Sequence, residues 1–85
     1  MEDLTAEQKK LRCVVLSNRA MAYLKIQETT KALADANLSL TYDSKYAKSY
    51  YRRAECYKRL QNYKASLKDF QTVKQLEPHE SKPDT

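Results

Sequence analysis

Apolar residues in this chain recur every three or four positions, the spacing of a helix face, and the alternation of two that marks a strand is missing. Leu16, Ala20, Tyr23 and Leu24 form one such stripe, and Tyr50, Ala54, Tyr57 and Leu60 form another. A second stripe follows each: Leu33, Ala36 and Leu40, then Leu67, Phe70, Val73 and Leu76. The pattern predicts an all-α fold of four helices arranged as two antiparallel hairpins. Local signals agree. Thr5-Ala6-Glu7-Gln8 reads as a capping box that opens the first helix. Ser44 is expected to cap the third helix. Asn62, a good N-cap that tolerates left-handed backbone, is expected at the turn into the fourth. Pro78 should close that helix, with residues 81–85 a disordered tail.

The two hairpins are copies of one unit. Shifting the chain by 34 residues lays Asn18-Arg19-Ala20-Met21-Ala22-Tyr23 on Arg52-Arg53-Ala54-Glu55-Cys56-Tyr57, with Ala and Tyr matching in place. The same register puts Leu33 on Leu67, Asp35 on Asp69, Ala36 on Phe70 and Ser39 on Val73. The units are 13–46 and 47–80, and residues 1–12 extend the first helix. A repeat at this period is the signature of a solenoid.

Composition narrows the chemistry. The chain has no Gly and two Pro and is rich in helix-forming residues. At 85 residues it is one small domain with a thin core. A net charge of +5 points to anionic partners. No nucleic-acid motif accompanies it, and Tyr50 and Tyr57 are needed inside the repeats, so nucleic acid is not the expected partner. The longest apolar runs fall far short of the ~20 residues that cross a bilayer, and no targeting segment opens the chain. A soluble protein of the cytoplasm or nucleus, without membrane contact, is expected. Cys13 and Cys56 lack metal-like spacing and fit reduced, buried thiols. A lone histidine and no glycine exclude a catalytic triad or a phosphate loop. Neither an enzyme, nor a metal, nor a cofactor is expected.

Both units carry Ala-x-x-Tyr in the first helix, Ala20 with Tyr23 and Ala54 with Tyr57. The second unit adds Ser66, Phe70, Val73 and Pro78 where the tetratricopeptide repeat has small, aromatic, small and proline residues. On these residues the chain resembles that family over about four fifths of its length. The resemblance implies stacked hairpins with an inner groove lined by the first helix of each unit. Asn18, Lys48 and Arg52 match the residues with which the carboxylate-clamp type holds a chain end, as in phosphatase, myosin-chaperone and J-domain cochaperones. The implied ligand is the Glu-Glu-Val-Asp tail of the seventy- or ninety-kilodalton heat-shock chaperones. The family's first repeat, which donates a further Lys and Asn, has no counterpart here.

The chemistry suits the residue types. A chain end bears an α-carboxylate beside an Asp carboxylate. Arg offers a planar fork, Lys a compact charge and Asn a neutral donor. Lys48 and Arg52 are one turn apart on one helix face. Tyr51 and Lys25 are further groove candidates, Tyr51 as packing for an apolar ligand side chain. The other reading is a scaffold that holds a partner helix or internal segment with no free carboxylate. Two hairpins leave apolar end faces, at Leu11, Val14 and Val15 and at Leu67, Val73 and Leu76. The chain is therefore expected to self-associate, by end-to-end stacking or helix exchange, or else to be marginally stable.

Overall fold

The structure, a computed structural model, describes residues 3–77. It contains α1 (Ala6–Lys25), α2 (Thr29–Tyr42), α3 (Ala47–Arg59) and α4 (Tyr63–Leu76), with no strand among the described residues. Antiparallel pairs α1–α2 and α3–α4 form the two hairpins, and α3 also packs on α2 and α1.

The capping box at Thr5 forms as expected. Its hydroxyl accepts from the Gln8 backbone at 3.1 Å, and the Gln8 side chain accepts from the Thr5 backbone at 2.9 Å. Asn62 caps α4, its side chain accepting from the Ala65 N–H at 3.4 Å. Ser44 does not cap α3. The helix starts at Ala47 with Tyr46 as N-cap and no side-chain cap bond. The reason is local: Asp43 takes over the turn by accepting from the Lys45 N–H at 3.0 Å. The Ser44 carbonyl instead accepts from the Tyr50 hydroxyl at 2.8 Å. Pro78 and the tail lie outside the described residues.

The two turns within the hairpins use the same motif, 34 residues apart. Gln27 and Gln61 have φ of 67° and 65°, in the left-handed region. After Gln27, the Glu28 N–H reaches the Tyr23 carbonyl at 2.8 Å; after Gln61, the Asn62 N–H reaches that of Tyr57 at 2.8 Å. This is a Schellman ending, which satisfies carbonyls that the helix itself leaves bare. Left-handed backbone costs a side-chain-bearing residue about 1–2 kcal/mol, and glycine escapes that cost while losing more entropy on folding. Gln61→Gly is therefore expected to raise stability by about 0.5–1 kcal/mol, read as a higher urea midpoint with unchanged slope.

The core is built from small side chains. Ala20, Leu24, Ala32, Ala36 and Cys56 form one buried cluster, with Tyr23 and Leu33 packed against it. Cys13, Ala47 and Ala54 are buried as well. Leu60, read as part of the α3 stripe, sits past the helix end as its C-cap and is exposed.

Polar groups tie three helices together at Ser39. Its hydroxyl donates to the Cys13 carbonyl at 2.8 Å and lies 2.6 Å from the Ser49 hydroxyl and 3.1 Å from the Cys13 sulfur. A hydroxyl has one proton, so Ser49 must donate to Ser39. Each hairpin is also closed by a forked ion pair 16 residues apart in sequence. Arg19 grips Asp35 through Nε at 2.6 Å and Nη2 at 2.9 Å; Arg53 grips Asp69 through Nε at 2.8 Å and Nη2 at 2.9 Å. Arg53 further donates to the Asn37 side chain at 3.0 Å, so this second pair also joins the hairpins. The carboxylates hold both guanidinium groups still further above their usual range, hydrogen bonding being the main cause.

Candidate functional site

The first turns of α3 present a cleft of about 230 Å³ lined by Ala47, Lys48, Tyr51 and Arg52, with Val73 and Glu77 closing it from the end of α4. Helical spacing explains the grouping. Lys48, Tyr51 and Arg52 lie within one turn, so the two cations and the ring share a face. Burial of Ser49 and Cys56 on the other side fixes how that face is turned.

Tyr51 is held by its neighbours. Its ring meets Phe70 edge-on, with centroids 5.6 Å apart and planes at 67°. The Arg52 guanidinium lies 5.7 Å from the same ring centroid. Aromatic and cationic contacts of this kind orient a side chain without consuming its hydrogen bonds. Arg52 Nε is buried and has no hydrogen-bond partner. A buried donor left unpaired costs about 1–3 kcal/mol, and this N–H, shielded from solvent, meets an acceptor only if the Arg52 side chain turns.

The sequence-derived candidates thus divide. Lys48, Tyr51 and Arg52 line one cleft. Asn18 and Lys25 are exposed residues of α1 and do not line it. Asn18 occupies the place in α1 that Arg52 occupies in α3, one period later. Lys25 corresponds to Arg59, whose guanidinium donates to the Leu24 carbonyl at 2.7 Å. Sequence reasoning missed Glu77. Its signal was its position, one period after the acidic Asp43 and immediately before Pro78.

Catalytic chemistry finds little to work with among the described residues. Both cysteines are free and buried. Burial pushes the Cys56 thiol up to about 11 against the opposing pull of Arg59, so it stays protonated and unreactive at neutral pH. No group of His, Cys, Asp and Glu there could hold a metal ion. No helix there is long and apolar enough to cross a membrane.

Residues 47–80 match the family described as tetratricopeptide repeat. The arrangement of helices is similar to that of the second TPR domain of Spaghetti (RPAP3) bound to the HSP90 peptide SRMEEVD, with a TM-score of 0.76 and 38% identity, over 78% of this chain and 57% of that one. The chain has the TPR fold, and residues 47–80 are a tetratricopeptide repeat. The first TPR of Spaghetti, bound to the same peptide, matches this TPR chain with a TM-score of 0.78 and 33% identity, over 81% of it and 55% of the neighbour. Human serine/threonine-protein phosphatase 5 is 39% identical over 67 residues, which is 79% of this TPR chain and 13% of the phosphatase. The TPR chain therefore spans only a small part of that relative, and the matched regions are non-catalytic repeat modules.

Proposed function

We propose that this TPR chain binds the acidic C-terminal end of a partner protein, a Glu-Glu-Val-Asp tail of the heat-shock chaperone type, and does no chemistry of its own. Lys48 and Arg52 hold the carboxylates. Asn18 donates from α1, Tyr51 packs the apolar residue of the tail, and Lys25 adds charge along the groove. The module works in the cytoplasm or nucleus, where such chaperones act.

One observation carries the reading: Lys48 and Arg52, two cations one helical turn apart, line a single cleft together with the Tyr51 ring. Two neighbouring solved TPR domains, each bound to a peptide ending in Glu-Glu-Val-Asp, support the choice of ligand. The test compares an Ile-Glu-Glu-Val-Asp peptide with its C-terminally amidated twin by calorimetry. Removing the α-carboxylate is expected to weaken binding at least tenfold, the loss of one charge-assisted contact of about 1.5 kcal/mol or more. Equal binding of the two peptides would favour a scaffold for helices or internal segments. Salt-sensitive binding that ignores amidation would point to simple charge attraction.

A further inference from the structure

The two ends of the molecule differ in one systematic way. Positions that the second hairpin uses to contact the first are exposed at the equivalent places on α1. Ser49 and Cys56 are fully buried against the first hairpin; their counterparts one period earlier are Val15, 55% exposed, and Ala22, also exposed. Arg53 has a side chain 24% exposed, whereas its counterpart Arg19 is 57% exposed. The converse holds on the other end: Leu33 packs on the core cluster, but its counterpart Leu67 is 59% exposed.

Transferring the internal contacts by one period gives the contacts that a second copy would make with its α1 on the α4 of the first. Ser39 with Ser49 becomes Val73 with Val15. Two hydrogen-bonding groups are thereby replaced together by two apolar ones of similar size, a change that sacrifices little stability. Asn37 with Arg53 becomes Gln71 with Arg19, and the amide oxygen that a guanidinium requires is retained. Ala36 with Cys56, both in one cluster, becomes Phe70 with Ala22, a larger residue facing a smaller one. Three independent positions remain chemically matched; the fourth, Arg59 on the Leu24 carbonyl, becomes Lys25 on the Lys58 carbonyl, which keeps the donor but sets two exposed lysines side by side. The residues of α1 before Cys13 have no counterpart in α3 and run on past the end of α4.

We propose that this surface is a head-to-tail interface between copies of the chain, in which α1 of one molecule docks on α4 of the next as α3 docks on α2 within each. Such an interface is heterologous. It uses two different patches, leaves one of each free, and continues into an open series that does not stop at a dimer. Val73 also lines the cleft with Lys48 and Arg52, so a docked α1 borders that cleft.

Disulfide trapping tests the geometry. The full chain is prepared as Val15→Cys and as Val73→Cys, and the native thiols, both buried, serve as the background in the unsubstituted protein. Under mild oxidation a mixture of the two variants is expected to form a cross-linked pair, and neither variant alone should. Cross-linking of Val15→Cys with itself would show a symmetric contact and overturn the proposal. Sedimentation of the unsubstituted 9.9 kDa chain gives the second reading. The apparent mass should rise with concentration beyond two chains, and Val15→Glu, a change at an exposed position, should return it to one. A single-chain mass at every concentration would overturn the proposal, as would association unaffected by Val15→Glu.

Discussion

Replacing Arg53 with methionine is expected to destabilise the fold by about 3–5 kcal/mol, because it leaves the Asp69 carboxylate, whose side chain is only 6% exposed, as an unpaired buried charge. A domain of this size has roughly 4–13 kcal/mol in hand, so one substitution removes much of it. The guanidinium also bonds Asn37 on α2, and its loss loosens the hairpins from one another as well as the second hairpin itself. Urea denaturation followed by circular dichroism measures the change. The double replacement Arg53→Met with Asp69→Leu should cost less than Arg53→Met alone, since it removes the charge together with its partner. Arg19→Met should cost less too, because water already reaches that guanidinium. Should the single replacement prove nearly neutral, or the double one worse, the ion pair would be a surface ornament.

Arg52→Ala is expected to weaken binding of an Ile-Glu-Glu-Val-Asp peptide by roughly 10- to 150-fold, the equivalent of about 1.5–3 kcal/mol for one charge-assisted hydrogen bond. Lys48→Ala should act in the same direction but less strongly, since Lys48 is an exposed point charge on a flexible stem and salt screens it. Arg52→Lys should recover only part of the loss, because an ammonium lacks the planar fork. Calorimetry at two salt concentrations separates these effects, and unchanged circular dichroism excludes unfolding as the cause. Full affinity in Arg52→Ala would remove the cleft from the account of binding, whatever the peptide's fate elsewhere on the chain.

The helices were legible because their signal is redundant. Apolar stripes, the Thr5 capping box and the 34-residue register each locate the same hairpins. The grouping of Lys48 with Arg52 was equally accessible, since positions four apart share a helix face in any context. Other features depend on contacts between elements. Arg19, Arg53, Asp35 and Asp69 all repeat at the period of the chain, yet only packing shows that each Arg closes on the Asp 16 residues later. Ser44 failed as a cap because Asp43 competed for the same turn, a contest that propensity does not resolve. Left-handed backbone was expected near Asn62 and fell on Gln61, since the Schellman ending selects a position relative to the helix end, whichever residue stands there. Glu77 escaped notice because the end of α4 is brought to the start of α3 only by folding.

The core between these helices contains mostly alanine, serine and cysteine, residues with at most one side-chain torsion between heavy atoms. Backbones therefore meet nearly directly, and the spacing of the helices is dictated by main-chain shape. The backbone beneath Lys48 and Arg52 thus has little slack, and the freedom that the proposed binding would cost lies mainly in those two long side chains.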